Sequence, residues 1–226
     1  MCFSPEMDIG AGVVVGAVGL AGVRHVDRPR QLPLASLPVL FGAHQLTEAF
    51  VWWGLRGEVA PATADTALWL YLLFALVALP VLAPVAVLLV EPEPRRRRVM
   101  GRFALLGAVV SVVYLRALLD GPVGATIRGH TLSYGVGAPY GELFAVLYAL
   151  GTVGALVASS HRRIALFGAA NAIAVPVLVL LAARAFTSLW CLWAAVASVV
   201  IARHVQLSGP ATTSGPPTTH AVVPGP

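Results

Sequence analysis

The chain has 226 residues, of which 58% are hydrophobic and only 11% are charged, and its formal net charge is +5. Several apolar runs reach the length of about 20 residues that a helix needs to cross a bilayer. These values exclude an ordinary soluble domain and predict an integral membrane protein. The positive charge does not indicate nucleic-acid binding, because the arginines lie in short segments between apolar runs and not on a soluble face with aromatic residues.

Seven apolar runs, bounded by arginine, proline, glycine or acidic residues, predict an all-α bundle of about seven transmembrane helices. The runs cover residues 9–23, 34–55, 66–90, 103–119, 140–157, 164–181 and 185–201. The first run is short, and little more than Arg184 separates the last two, so bundles of six or eight helices are alternatives. The bundle is predicted to fill residues 1–206 of a multi-pass protein of the cell membrane.

Arginine sets the predicted orientation, because the chain contains no lysine. With the N-terminus outside and the C-terminus cytoplasmic, eleven of the fifteen arginines fall on cytoplasmic segments, as the positive-inside rule favours. The run EPEPRRRR, residues 91–98, is predicted to be a topology anchor within reach of anionic headgroups. Residues 207–226 are rich in Gly, Pro, Ser and Thr without apolar periodicity and predict a disordered cytoplasmic tail.

The stretch HQLTEAFVWW, residues 44–53, places polar side chains inside the second predicted span. On a helix, His44, Glu48 and Trp52 are four apart and lie along one side, with Gln45 beside them. Glu48 falls only ~6 Å from the midplane of the span. Because a carboxylate at this depth is costly, we interpret Glu48 as a functional group that faces protein or a water-filled cavity. A purely structural hydrogen bond to His44 or to a neighbouring helix is the alternative.

The aromatic residues fall on one side of the predicted membrane. All five tryptophans and all five tyrosines lie in or above the outer half, whereas an ordinary aromatic belt has members at both interfaces. This distribution predicts an aromatic-lined cavity that opens outward, with a one-sided belt as the alternative. The predicted substrate-binding wall consists of Trp52, Trp53, Trp190 and Trp193. The loop 120–139, the longest connection, is predicted to close the mouth of the cavity through His130 and Tyr134.

An intramembrane acid beside aromatic faces fits acid-initiated chemistry on an apolar substrate that arrives from the lipid bilayer. In this hypothesis Glu48 protonates an olefin, His44 and Gln45 orient it, and the aromatic faces stabilise the carbocation. Glu142 is the candidate terminal base. Small membrane-bound terpene cyclases of the class II type are similar in length, helix count and use of intramembrane acids. This resemblance implies cyclisation of a polyprenyl-type small molecule without a cofactor.

Two other functions fit the same residues. Zinc is the alternative cofactor, for a membrane hydrolase, because Cys2, His44, Glu48 and His130 are ligand types that zinc accepts. The only informative spacing among them is the weak pattern His-x-x-x-Glu. A non-enzymatic proton-coupled carrier or sensor also needs a buried acid. Stoichiometric zinc would favour the hydrolase, and polar residues on both sides of the midplane would favour the carrier.

The opening Met-Cys-Phe-Ser, the His-Gln-x-x-Glu of residues 44–48 and the later GHTLSY resemble a family of short bacterial membrane proteins. The resemblance covers residues 1–205. It implies a multi-helix membrane fold but no reaction, because that family has no settled activity. The positions associated with its motifs are Cys2, His44, Gln45, Glu48, His130 and Tyr134.

Overall fold

The computed structural model describes residues 4–181, and most of them are helical. The helices are α1 (Pro5–Val23), α2 (Leu32–Leu55), α3 (Pro61–Leu72), α4 (Leu79–Val90), α5 (Pro94–Asp120), α6 (Gly141–Val157) and α7 (Arg162–Leu181). A 3-10 turn, Pro29–Gln31, precedes α2. A π-helical segment, Leu73–Ala78, joins α3 to α4 in one continuous rod.

Three of the described helical rods are long and apolar enough to cross a membrane, namely Pro5–Val23, Pro61–Val90 and Pro94–Asp120. They indicate a membrane protein. Helix α6 is apolar but shorter, with 17 residues. The prediction was seven spans, and three of the described helical rods meet the length and composition of a span. The last predicted run, 185–201, and the predicted tail, 207–226, lie outside the described residues.

The prediction of an all-α fold is wrong for the connection between α5 and α6. Strands β1 (Val123–Arg128) and β2 (Thr131–Val136) pair there as an antiparallel hairpin. Gly129, in the tight turn, has φ +64°, a left-handed conformation that glycine adopts without a Cβ clash. The connection predicted as a loop, residues 120–139, therefore contains an ordered element whose backbone groups pair with one another.

Helix α1 packs closely against an antiparallel α2 because glycines face each other where the helices cross. A Cβ at Gly42 would lie 2.6 Å from the backbone nitrogen of Gly16, and a Cβ at Gly19 would lie 2.5 Å from that of Val39. These distances leave no room for a side chain at either glycine. The glycine stripe of α1, formed by Gly12, Gly16 and Gly19, is therefore a packing surface that lets two backbones approach, as in other membrane helix pairs.

The rod from α3 to α4 changes its hydrogen-bond pattern before a proline. The backbone nitrogen of Leu79 donates to the carbonyl of Phe74, five residues earlier. The same pattern would pair the Ala75 carbonyl with Pro80, which has no N–H to donate. Instead the hydroxyl of Tyr148, from α6, donates to the Ala75 carbonyl at 2.9 Å. A neighbouring helix thus satisfies a backbone group that apolar surroundings cannot solvate.

Two clusters of buried apolar side chains divide the core along the bundle. The first includes Leu34, Leu37, Val87, Met100 and Ile164. The second includes Val51, Trp52, Tyr71, Leu118 and Leu132. Because Leu132 belongs to β2, the hairpin is packed into the second cluster, and we call this the hairpin end of the bundle.

At the opposite end, a buried carboxylate joins the segments that precede α5 and α7. Glu91 is 1% exposed and accepts hydrogen bonds from the backbone nitrogen of Ser160 (2.9 Å) and the hydroxyl of Ser159 (3.3 Å). Arg96 donates to the Ser159 carbonyl (3.3 Å). Burial raises the pKa of Glu91, but the hydrogen bonds from Ser160, the Glu93 nitrogen and Ser159 outweigh it and hold the pKa below its usual value. The Glu91 carboxyl is therefore ionised at neutral pH. We call its contacts with Ser159 and Ser160, together with Arg96, the clasp.

Candidate functional site

Helix α2 directs a row of polar and aromatic side chains into the bundle. Gln45, Glu48 and Trp52, spaced three and four residues apart, are 2%, 0% and 2% exposed. His44, at the edge of this row, is half-buried. A helix places residues at these spacings on one face. The polar stripe read from the sequence therefore faces protein.

The hairpin places a tyrosine on the buried acid. Tyr134, in β2, is paired with Ala125 across the hairpin, and its hydroxyl donates to Oε1 of Glu48 at 3.0 Å. The neighbouring Leu132 belongs to the second core cluster, as Trp52 does, and this packing holds the strand in place. The carboxyl of Glu48 is thus oriented by a residue 86 positions away in the chain.

Three rings form a stack beside Glu48, here called the aromatic column. The ring of Tyr71 lies between His44, with centroids 4.0 Å apart, and Tyr134, with centroids 4.6 Å apart. Interplanar angles of 14° and 20° make both contacts nearly parallel. Phe74, from the π-helical segment, flanks His44 at 4.9 Å. Such ring pairs add stability beyond their buried area, so the column fixes Tyr134 over the carboxyl.

Three buried polar atoms near Glu48 have no hydrogen-bond partner among the described residues. They are Nδ1 of His44, Oε1 of Gln45 and Nε1 of Trp52. An unsatisfied buried donor or acceptor costs free energy, so folded proteins contain few of them. Three such atoms within nine residues of one helix mark this face of α2 as a polar site in an apolar bundle.

The two described tryptophans of the predicted wall, Trp52 and Trp53, differ in their surroundings. Trp52 is buried, and the guanidinium of Arg56 lies 5.3 Å from its ring centroid, over the ring. Trp53 is half-buried and meets the partly exposed Phe50 edge to face, with centroids 5.0 Å apart. Trp52 therefore lies on the same face of α2 as Glu48, and Trp53 lies on a different face. The other predicted wall residues, Trp190 and Trp193, lie outside the described residues.

Two further predicted site residues are exposed at the hairpin end. His130 lies in the turn of the hairpin, and Glu142 lies in the first turn of α6. Neither shares the burial of Glu48. Of the alternative zinc ligands, Cys2 lies outside the described residues. Within the described part of the chain, no three His, Cys, Asp or Glu side chains gather in an arrangement that could hold a metal.

A family model matches residues 1–214, which include every described helix and strand. The chain belongs to DUF6629, a family of unknown function. No curated protein and no solved structure matches it. The resemblance to a family without a settled activity is confirmed. Neither the His-Gln-x-x-Glu motif nor the cyclase analogy gains support from the DUF6629 match.

Sequence reasoning missed one member of the site, Tyr71, and one buried acid, Asp8, in this DUF6629 chain. Tyr71 was counted only as one of many outer aromatic residues, yet it is the centre of the aromatic column. Asp8 is fully buried, one helical turn from Gly12, which packs against α2 at Gly42. Asp8 therefore lies at about the depth of Glu48. Its position four residues before the glycine stripe was the available signal, because that spacing puts it on the same helix face.

Proposed function

We propose that this protein is a membrane-embedded enzyme in which Glu48 donates a proton to an apolar, bilayer-soluble substrate, and that the reaction is acid-initiated terpenoid cyclisation. The observation that carries the proposal is the complete burial of the Glu48 carboxyl, held by the Tyr134 hydroxyl at 3.0 Å. A general acid needs a fixed position and protection from bulk water. Both conditions are met at this carboxyl.

The proposed reaction needs no co-reactant. The carboxyl O–H of Glu48 breaks as its proton forms a C–H bond at a terminal double bond of a polyprenyl chain. The resulting carbocation accepts the electron pair of the next double bond, which forms the ring. Loss of a neighbouring proton then restores a double bond, and the carboxylate regains a proton. Substrate and product are isomers, so the reaction consumes no oxidant, reductant or cofactor.

The residues around Glu48 have distinct proposed roles. Tyr134 orients the carboxyl, a role that the sequence had assigned to His44 and Gln45. The Oε1 of Gln45 and the Nδ1 of His44, which have no partner among the described residues, are proposed to bind a polar end of the substrate. Trp52 lines the same face of α2. The proposed terminal base, Glu142, is exposed at the hairpin end, where it can pass a proton to water.

Seven spans, with the N-terminus outside and the C-terminus cytoplasmic, complete the proposal. The proposal takes residues 185–201, which lie outside the described residues, as the last span. In this arrangement the hairpin end faces outward and the clasp faces the cytoplasm. In a background without native cysteines, Glu58→Cys in intact cells should react with an impermeant maleimide and Pro92→Cys should not. The reverse labelling pattern would contradict the orientation.

The proposed chemistry can be tested by solvent isotope incorporation. Purified protein is incubated with polyprenyl substrates of increasing length in D2O and in H2O, and the products are analysed by mass spectrometry. We expect a ring-containing isomer of the substrate that carries a solvent-derived deuterium at the carbon that was protonated. Substrate recovered unchanged at every length overturns the cyclisation proposal. Conversion of a polyprenyl diphosphate, included among the substrates, to the free alcohol would instead support the hydrolase alternative.

A further inference from the structure

A groove between α2 and α3 opens on the surface of the bundle. Its volume is ≈ 530 Å³, within the range of about 300–1,000 Å³ that small-molecule sites occupy. The side chains that line it come from both helices and include Leu46, Thr47 and Phe50 of α2 and Thr63, Thr66 and Leu70 of α3. Because the rod Pro61–Val90 is long and apolar enough to cross a membrane, the groove opens toward the hydrocarbon of the bilayer.

The lining of the groove suits an apolar chain. The hydroxyl of Thr47 donates to the Ala43 carbonyl at 2.9 Å, and that of Thr66 donates to the Ala62 carbonyl at 2.7 Å. Both hydroxyl donors are therefore used within their own helices. Leu70, which is 54% exposed, adds apolar surface.

On α2, one layer of side chains separates the groove from Glu48. A helix turns by about 100° per residue, so Val51 and His44 lie between Thr47, which lines the groove, and Glu48. Val51 is buried, and His44 is stacked on Tyr71 of α3. The groove and Glu48 are thus at the same depth, on neighbouring faces of one helix.

On α3, the corresponding layer contains the small residue Ala67. Ala67 lines the groove, is buried, and belongs to the same core cluster as Val51, Trp52 and Tyr71. Around the helix it lies between Leu70, on the groove side, and Tyr71, the centre of the aromatic column. The layer between the groove and the column is therefore narrowest at Ala67, whose side chain is a single methyl group.

We propose that this groove binds the polyprenyl chain of the substrate, and that the chain passes from the bilayer to Glu48 between α2 and α3 at Ala67. The proposal rests on the proposed function, which requires a bilayer-soluble substrate to reach a completely buried carboxyl. A structural phospholipid needs only apolar surface, which the exposed side chains of other helices also supply. The groove in addition adjoins the layer of side chains over Glu48, and this continuity favours the substrate as its occupant.

The test compares two photoreactive probes in phosphatidylcholine vesicles that contain the Glu48→Gln variant, which lacks the proposed proton donor. One probe is geranylgeraniol with a diazirine on its terminal isoprene unit, and the other is phosphatidylcholine with a diazirine in a straight acyl chain. We expect the geranylgeraniol probe to label α3 in preference to the exposed Leu166 and Ile173 of α7. The preference should be at least about tenfold, the contribution of one fitted methylene group in an apolar pocket. The phospholipid probe should label both surfaces alike.

Two matched double variants assign the preference to the groove. Thr63→Trp with Thr66→Trp fills the groove from exposed positions. Val109→Trp with Val112→Trp adds nearly the same volume at the same spacing on the exposed face of α5, because valine and threonine are similar in size. We expect the first pair to abolish the preference of the geranylgeraniol probe for α3 and the second pair to leave it unchanged.

Three results would overturn the groove as the substrate's route. They are equal labelling of α3 and α7 by the geranylgeraniol probe, the same preference shown by the phospholipid probe, and a preference that persists in the variant with Thr63→Trp and Thr66→Trp. If that variant fails to fold, competition decides: unlabelled geranylgeraniol should suppress the labelling of α3, and a straight-chain alcohol of equal length should not. Equal suppression by the two alcohols would contradict the proposal.

The groove and the reaction at Glu48 can fail separately, because labelling requires no turnover. A labelled groove in a protein that forms no cyclised product would contradict the chemistry and keep the groove. A cyclised product without preferential labelling of α3 would contradict the groove and keep the chemistry.

Discussion

Glu48→Gln is expected to abolish most of the proposed cyclisation activity while the protein remains folded. The amide keeps the size of the side chain, and its oxygen can still accept the hydrogen bond from the Tyr134 hydroxyl, which donates to Glu48 at 3.0 Å. It has no acidic proton to transfer. General acid–base groups typically contribute about 10²–10⁴-fold to rate. The rate of ring formation from a polyprenyl substrate should fall by that factor.

Two companion variants separate the proton from the hydrogen bond. Tyr134→Phe removes the hydrogen-bond donor but leaves the acid in place. We expect the rate to fall by no more than about tenfold, because a single hydrogen bond contributes about 1 kcal/mol. Glu58→Gln replaces an exposed carboxyl at the hairpin end and should leave the rate unchanged. If Glu48→Gln retained full turnover with an unchanged melting temperature, Glu48 would not be the proton donor.

The sequence predicted the buried face of α2 because the information is local. Spacings of four residues put His44, Glu48 and Trp52 on one side of any helix, with Gln45 beside them, and a carboxylate in an apolar run has to face protein. The structure buries Glu48, Trp52 and Gln45 and leaves His44 half-buried.

Neither the hairpin nor its contact with Glu48 could be predicted from the sequence in this way. The stretch VGATIRGHTLSYGV is rich in glycine and was interpreted as a loop, although Gly129 marks a two-residue turn between two runs containing β-branched residues. The bond between Tyr134 and Glu48 joins residues 86 apart. No periodicity in either segment specifies such a contact, because it depends on how the hairpin packs into the core.

The aromatic column around Tyr71 could not be predicted either, because it also depends on packing between distant segments. His44 and Tyr134 come from different elements, and their parallel contacts with Tyr71 depend on the packing of α2, α3 and β2. The π-helical segment after α3 sets the position of Phe74 in the same way. Aromatic content was visible in the sequence, but the contacts of each ring were not.

Gly107→Ala is expected to lower the free energy of unfolding by about 3 kcal/mol, the upper part of the range for overpacked cores. A Cβ at Gly107 would overlap the carbonyl oxygen of Pro80, a backbone atom that cannot rotate away. That carbonyl lacks its usual partner four residues on, because Pro84 has no N–H. Gly151 of α6 closes the other side of Gly107, where its own Cβ would lie 3.6 Å from the Gly107 nitrogen. Helices α4, α5 and α6 therefore meet where only glycine fits.

The same helix supplies the control. Gly101 also lies inside α5, but a Cβ there meets nothing within 4 Å. Gly101→Ala should raise stability by about 0.5–1 kcal/mol, because alanine loses less backbone entropy in a helix than glycine does. Both variants change the unfolded chain equally, so the difference between their unfolding midpoints in detergent isolates the packing at Gly107. Equal midpoints would contradict the close approach of α5 to Pro80, and with it the arrangement of α4, α5 and α6 on which the clasp depends.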